Sequence, residues 1–381
     1  MNWLISILII GVIITGSIEH ISLPLIVGYY PSLYFIIIVS SLHGSLNYGI
    51  LLTIVSKCHI TVMIDIIKPQ WKTVLIAGSC NALMSLCFIY STSPTRTPVV
   101  IQSIFLGLAI LPTVGFRKVL LNKQTKYNRK YIIPSIILLV ISVILSVIPL
   151  FVLEYDITQS YWIVGYIMAI ILLSFDNTMQ EKYVTDTKDE RFINKLTFAF
   201  STSICQVIVL LCCFWMELIF GYSDTPVLAF TTSLSEFVTQ WSSFLFLEFF
   251  IVDCLVLYLI SIYLNSMSTN YNMILTNLTN QSVAIFFIIF PSLNTGIHYP
   301  VYIVIPTLIL NCISVFLWIK GETNYEKELP NNKTADGIIT FPSCENSTLP
   351  IYSPHIEPEN KLLQDQYVNN SSYFYDTPIL S

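Results

Sequence analysis

The chain alternates long apolar runs with short polar segments. Runs such as 131–152 and 299–319 contain almost no charged residue. Each is close to the ~20 residues that an α-helix needs to cross the hydrocarbon core of a bilayer. The runs lack the regular polar–apolar alternation of strands in an outer-membrane β-barrel. Because backbone groups in lipid must be satisfied internally, the pattern predicts an all-α integral membrane protein.

The runs predict ten transmembrane helices. The first run has no basic residue before it, so we expect a retained helix rather than a cleaved signal peptide. The predicted spans are 3–24, 31–55, 73–91, 98–116, 131–152, 161–179, 196–220, 243–264, 272–291 and 299–319.

Composition supports this interpretation. Hydrophobic residues make up 54% of the chain and charged residues 11%, against about 25% charged in an average globular domain. A soluble fold of 381 residues could not hide that much apolar surface from water.

The basic residues predict both the direction and the number of the helices. Seventeen of the 18 Lys and Arg residues fall in the loops that follow predicted helices 2, 4 and 6 or in the tail, and only Arg96 falls on the other side. Cytosolic loops carry the excess of Lys and Arg, so both termini are expected in the cytosol. A missed helix would reverse every later loop and destroy this segregation. The segment 321–381, rich in Asn, Pro, Ser and acids, is predicted to be a disordered cytosolic tail.

Polar residues inside the apolar runs are the candidate functional groups, because such residues are costly in lipid. Two interpretations stay open for the amides and hydroxyls: hydrogen bonds that hold helices together, or the wall of a polar cavity. In helix 9, i,i+4 spacing places Thr276 with Asn280 and Asn277 with Gln281 on shared faces. The start of helix 4 carries Arg96, Thr97, Gln102 and Ser103.

Four acids are candidates for proton coupling. Asp176 and Glu181 bound the end of helix 6, and Glu248 and Asp253 lie in helix 8. Five residues turn an α-helix by roughly 140°, so the last two cannot both point into one cavity. Desolvation favours the neutral form of a carboxyl group, so these acids are either proton-exchanging groups or neutral structural ones. Glu19 and Glu217 are nearer to predicted helix ends and are expected to reach water.

The sequence holds no G-x-S-x-G, H-E-x-x-H or Walker motif. Its nine cysteines form no CxxC pair and have no Cys/His ligand spacing. We therefore expect a protein that is not an enzyme and that uses no metal and no cofactor. The expected partners are membrane lipid, a small-molecule substrate and protons, with no nucleic acid.

A family resemblance rests on helices 3 to 5. The stretch from Gly78 to Phe151 resembles the chloroquine-resistance-transporter-like family of the drug/metabolite transporter superfamily, through Arg96-Thr97, Ile101-Gln102-Ser103 and Pro112. The NTMQE stretch from Asn177 to Glu181 is similar to the end of helix 6 in that family. The 221–241 loop departs from it, because it lacks the family's cysteines.

The resemblance implies two inverted five-helix halves, 1–152 and 153–320, around a central cavity. It implies a secondary transporter that moves amino acids, peptides or cationic solutes by alternating access with proton coupling. A vacuolar, lysosomal or other endomembrane location is expected, with the plasma membrane as the alternative. By this resemblance and the polar pattern, the cavity residues are Thr15, Ser17, Arg96, Thr97, Gln102, Ser103, Asn177, Asn277 and Gln281.

Two other functions stay open. A nucleotide-sugar or sugar-phosphate carrier of the same superfamily should place Lys or Arg within the helices to hold phosphate, and only Arg96 lies near the membrane on the non-cytosolic side. A non-transporting receptor or scaffold would act through its tail.

Overall fold

The computed structural model describes residues 3–56, 60–93, 96–121, 128–152, 160–187, 191–221, 223–293 and 301–328. The predicted tail from residue 329 onward lies outside the described residues. The described chain folds into fourteen α-helices: α1 Trp3–Tyr29, α2 Leu33–Val55, α3 Ile60–Ile67, α4 Trp71–Thr92, α5 Val99–Phe105, α6 Ile110–Leu120, α7 Arg129–Val152, α8 Ser160–Thr187, α9 Phe192–Leu211, α10 Trp215–Phe220, α11 Pro226–Thr239, α12 Trp241–Met267, α13 Thr269–Ile289 and α14 Val301–Glu328.

Ten helical segments in the described ranges are long and apolar enough to cross a membrane. This confirms the predicted number and an all-helical, multi-pass membrane protein. Eight of them are single helices, and two are composites. In the third span, α3 continues through a 3-10 turn, Lys68–Gln70, into α4; in the fourth, α5 continues through a 3-10 turn, Leu106–Ala109, into α6.

Several helix ends differ from the predicted ones. Helix α1 continues to Tyr29 instead of ending at residue 24, and α8 continues to Thr187 instead of 179. The predicted helix 196–220 is divided, because α9 ends at Leu211 and α10 starts at Trp215. Helix α14 continues to Glu328, past the predicted tail boundary at 320.

The segment expected to be a loop between the seventh and eighth spans contains α11. Pro226 occupies its first turn, where a missing backbone N–H costs nothing. Alanine and serine at positions 229 and 233 are buried against the bundle. The exposed residues of α11 include the apolar side chains of Val227, Leu228, Leu234 and Val238.

The spanning helices pack in a defined set of pairs. Helix α1 packs on α12 and α13, and α8 packs on α4 and α6. Further pairs are α2 with α9, α4 with α9, α5 and α6 with α13, and α7 with α14. The α4–α9 approach needs glycine at position 78, since a Cβ there would lie 2.5 Å from Cys205 Cβ and 2.6 Å from the carbonyl oxygen of Thr202.

Buried polar contacts mark two opposite ends of the bundle, here named the Arg96 end and the Arg117 end. At the first, Arg96 lies over the ring of Trp162 at the start of α8. At the second, Arg117 binds Glu181 near the other end of α8. Nineteen residues of helix separate Trp162 from Glu181, which places the two ends roughly 28 Å apart at 1.5 Å per residue.

Candidate functional site

A cavity of about 300 Å³ lies inside the bundle between the Arg96 and Arg117 ends. Its wall comes from seven of the spanning helices: α1, α2, α4, α8, α9, α12 and α13. The volume is at the lower end of the range for small-molecule sites. The bundle therefore encloses space for a small solute near its middle.

Helix α1 supplies two titratable groups to the cavity wall, Glu19 and His20. Cys254 of α12 lines the same cavity. From its position in the sequence, Glu19 was expected to reach water at a helix end, because the predicted helix stops at residue 24. Five further helical residues place Glu19 well inside the span instead.

Helix α8 supplies Asp176 and Asn177, and both line the cavity. Asp176 is only 2% exposed. Its Oδ2 accepts a hydrogen bond of 2.9 Å from Gln180 Nε2, and its Oδ1 is buried with no hydrogen-bond partner. A buried carboxyl oxygen without a donor costs free energy. A bound donor in the cavity would remove this cost.

An amide network lies on the Arg117 side of the cavity. Asn265 Nδ2 donates to Asn177 Oδ1 and, at 2.7 Å, to Gln180 Oε1. Asn272 Nδ2 donates to Asn265 Oδ1 at 3.0 Å, and Asn272 Oδ1 is buried without a partner. The network ties α8 to the α12–α13 turn and forms a polar floor.

Below this floor, an ion pair closes the Arg117 end. The Arg117 guanidinium donates to both carboxyl oxygens of Glu181, through Nε and Nη2, each at 3.0 Å. Glu181 Oε2 also accepts from the Thr269 hydroxyl at 2.6 Å and from its backbone N–H at 3.2 Å. Glu181 is therefore engaged with α6 and α13 and lies outside the cavity wall.

The Arg96 end is closed by aromatic and polar contacts. The Arg96 guanidinium donates to the carbonyl oxygens of Tyr90 and Phe220, at 2.8 and 2.6 Å. Glu217 is buried, and its Oε2 accepts from the Tyr90 hydroxyl at 2.7 Å and from the Tyr34 N–H at 3.2 Å. Glu217 thus does not reach water, contrary to expectation.

A further tyrosine completes this end of the bundle. Tyr30, in the α1–α2 turn, donates to the carbonyl oxygen of Ser243 at 2.9 Å. Burial raises the pKa of Tyr30 to about 12. Its hydroxyl therefore stays protonated and can keep donating this hydrogen bond across the physiological pH range.

The predicted residues at the start of helix 4 lie outside the cavity wall. Gln102 Nε2 donates to the carbonyl oxygens of Thr92 and Thr97, at 2.7 and 2.6 Å. Ser103 Oγ donates to the Val99 carbonyl at 3.1 Å. Arg96, Thr97, Gln102 and Ser103 are buried near the Arg96 end, where the first three shape the connection from α4 to α5. Their roles in transport stay predictions.

Thr15 and Ser17 of α1 are also outside this wall. Each donates to a carbonyl oxygen one turn earlier, Gly11 for Thr15 at 2.8 Å and Ile13 for Ser17 at 2.6 Å. Gly16, between them, does line the cavity, together with Thr279 of α13. The cavity-facing side of α1 thus includes Gly16, which the family resemblance also implies, but neither of the flanking hydroxyl side chains.

The amides of α13 divide between the two interpretations that the sequence left open. Asn277 makes a contact between helices, since it lies 3.4 Å from the amide of Asn311 on α14. Gln281 Nε2 donates to Asn277 Oδ1 within α13 at 3.0 Å, and neither side chain lines the cavity. Thr276, one position away, lines the cavity. Adjacent faces of one helix thus serve packing and cavity separately.

The two acids of α12 also lie outside the cavity wall. Glu248 Oε1 is 2.6 Å from His43 Nδ1 on α2. Asp253 is 7% exposed, and its Oδ2 is buried without a hydrogen-bond partner. Of the four acids proposed for proton coupling, Asp176 is the one that the structure places on the wall.

The charge of the wall is one-sided. Among its described residues, Glu19 and Asp176 are acids and His20 is a histidine, while Lys and Arg are absent. Aromatic side chains of Tyr48 and Tyr258 add polarisable surface. Such a wall suits a neutral or positively charged solute better than an anion.

Comparison of the chain with protein-family models and with curated proteins gives no match.

Proposed function

We propose that this protein is a secondary active transporter that moves small solutes across a cellular membrane by alternating access. The observation that carries the proposal is the central cavity. It is lined by seven spanning helices, holds an unpartnered buried carboxyl oxygen, and lies between two polar clusters at opposite ends of the bundle. A protein that only anchors or recruits partners has no need of such a cavity.

We further propose that residues 1–152 and 153–320 are two inverted halves of a drug/metabolite-transporter-like fold. The helix pairs support this. Suppose that α1 corresponds to α8, α4 to α12 and the α5–α6 span to α13. The packing of α1 on α12 and α13 then corresponds to the packing of α8 on α4 and α6. The packed pairs α2–α9 and α7–α14 each join two corresponding helices, one from each half. Five spans per half would invert the second half relative to the first.

The cavity chemistry narrows the solute class. Its acids and the absence of Lys and Arg from its described wall favour amino acids, peptides or cationic and amphipathic metabolites and drugs. A nucleotide-sugar or sugar-phosphate carrier would need basic groups to bind phosphate. Arg96 does not supply one, because its guanidinium is bound to backbone carbonyl oxygens and to the Trp162 ring.

Asp176 and Glu19 are the proposed proton-exchanging groups. Both line the cavity, Glu19 from α1 and Asp176 from α8, and a cationic solute and a proton would compete for the same carboxylates. Binding of one would then favour release of the other, which is the simplest way to couple two fluxes. Glu181, Glu248 and Asp253 are less suited, because none of them lines the cavity.

The distribution of basic residues supports cytosolic termini, and this would make the Arg117 end cytosolic. The family resemblance of helices 3 to 5 supports an endomembrane location, vacuolar or lysosomal, over the plasma membrane.

The test is uptake by vesicles reconstituted with the purified protein under an imposed pH gradient. A panel of amino acids, dipeptides and amphipathic amines should show gradient-driven uptake. Asp176→Asn, which keeps the shape and the Gln180 contact, should abolish the dependence on the gradient. The matched control is Asp65→Asn, which neutralises an exposed acid of α3 and should leave uptake unchanged.

Uptake that is absent for the whole panel, or that is equally sensitive to both substitutions, would refute the proposal. A receptor or scaffold predicts a different result: removal of residues 329–381 would abolish function, while substitutions in the cavity would not.

A further inference from the structure

An ionisable pair lies on the outer surface of the bundle, where α2 meets α12. His43 Nδ1 is 2.6 Å from Glu248 Oε1, and the two side chains are 34% and 25% exposed. Neighbouring apolar side chains on the same two helices, Leu42, Leu46 and Phe249, are about half exposed. Both residues lie within spanning helices. Ionisable groups inside such helices are costly in lipid and usually mark a solute or ion pathway.

The pair borders the cavity. Ser40 precedes His43 by three residues on α2, and Ile251 follows Glu248 by three residues on α12. Residues at this spacing share a helix face, and both Ser40 and Ile251 line the cavity. His43 and Glu248 therefore lie between the cavity and the lipid-facing surface.

The wall of the cavity is thin on the α2 side of this junction. The α2 residues that line it there, Ser40, Ser41 and Gly44, are small. A Cβ built on Gly44 meets no atom within 4 Å. Ser40 Oγ is buried with no hydrogen-bond partner. The ionisable pair therefore lies beside open space at Gly44 and beside the unpartnered hydroxyl of Ser40.

Helix α11 lies over the Arg96 side of the same junction and packs on both α2 and α12. Its Phe237 ring is 6.0 Å from the His43 ring and 5.2 Å from the Phe244 ring, between centroids. On its outer face, Val227 and Val238 are 63% and 72% exposed. A short helix with an apolar outer face is suited to the bilayer interface.

We propose that the α2–α12 junction is a lateral portal through which an amphipathic amine passes between the bilayer and the cavity. Glu248 would exchange its contact with His43 for the ammonium group of the amine. The apolar body of the amine would pass between the lipid-facing side chains beside the pair. This deepens the proposed function and rests on it for its biological role, but the portal itself can be tested without transport.

The experiment uses photolabelling of the full chain in lipid vesicles. One probe is an aryl-diazirine alkylamine that partitions into the bilayer; the other is a diazirine-bearing dipeptide that stays in water. Labelling of the α8 cavity segment 173–180 is measured by mass spectrometry. Ile208 and Leu211 of α9, 57% and 60% exposed, serve as the lipid-facing reference.

The test substitution is Gly44→Phe, which fills the open space beside the pair. The matched control is Gly115→Phe on α6, where a Cβ also meets no atom within 4 Å and which lies outside the cavity wall. In Gly44→Phe, labelling of 173–180 by the amine should fall about tenfold, as expected for steric exclusion from a fitted site. The lipid-facing reference and the Gly115→Phe protein should stay at wild-type levels. Dipeptide labelling in Gly44→Phe should fall by a much smaller factor than amine labelling, because Gly44 is also part of the cavity wall.

The portal is wrong if the amine does not label 173–180 in the wild-type protein, or if Gly44→Phe leaves that labelling unchanged. An equal loss for amine and dipeptide would also overturn it, because that would show a collapsed cavity rather than a blocked side route. Lateral labelling without solute uptake would instead refute the proposed transport function and leave the portal standing.

Discussion

The buried ion pair at the Arg117 end should be the most sensitive polar contact to a one-sided substitution. Arg117→Met keeps the length of the side chain and removes the charge that neutralises Glu181. The carboxylate would lose both guanidinium hydrogen bonds and keep its contacts with Thr269. Breaking a buried pair in this way costs about 3–5 kcal/mol. We expect that loss in the free energy of unfolding, measured by detergent-induced unfolding in mixed micelles.

The second substitution tests the cause of this loss. Glu181→Gln added to Arg117→Met removes the uncompensated charge but can still accept from Thr269, so the double variant should regain at least half of the lost stability. Such non-additivity is expected for contacting residues. The matched control on the same helix is Lys182→Ala, which breaks the exposed pair with Asp186 and should cost less than about 0.5 kcal/mol.

A loss of less than about 1 kcal/mol in Arg117→Met would lie below the range for a broken buried ion pair and would contradict this role of Arg117. This role would also be contradicted if the double variant were no more stable than the single one, because the loss would then arise from packing rather than charge.

Three further predictions concern stability, and thermal unfolding checks each of them. Gly78→Ala should cost about 1–3 kcal/mol, because its methyl group would overlap the Thr202 carbonyl oxygen; an unchanged midpoint would contradict the close α4–α9 packing. Asn265→Ala removes the centre of the amide network and should cost about 1–3 kcal/mol, because neighbouring amides lose their hydrogen-bond partners. An unchanged midpoint would show that water replaces the lost amide. Arg96→Lys should cost about 1–2 kcal/mol, because an ammonium group cannot reproduce the planar guanidinium contacts with Trp162 and two carbonyl oxygens. An unchanged midpoint would show that a positive charge alone is enough to hold this end of the bundle.

The spanning helices could be predicted from the sequence because hydrophobic length is set by the bilayer itself. Helix α11 could not be separated from a loop in this way, since it is too short to span and is anchored by tertiary contacts of Ala229, Ser233 and Phe237. Pro226, at its first turn, was the one local signal for a helix start.

The cavity residues were harder to predict because polar side chains in lipid have two uses. The sequence marks Gln102 and Asn277 as polar groups that need partners, but not whether the partner is a helix or a solute. Asp176 and Asn177 were identified at the end of an apolar run and do line the cavity. Glu19 was missed as a cavity group because the end of α1 was placed five residues too early.

Alternating access requires that the cavity open to each side of the membrane in turn. Pulsed electron-spin distances between spin labels test this requirement in vesicles, in a chain whose native cysteines are replaced. Labels at Tyr29 and Tyr161 would report the Arg96 end, and labels at Val119 and Phe192 the Arg117 end; all four residues are exposed. When a transported solute or an imposed pH change shifts the equilibrium, one distance should lengthen while the other shortens. Distances that stay fixed, or that change together in the same direction, would contradict alternating access.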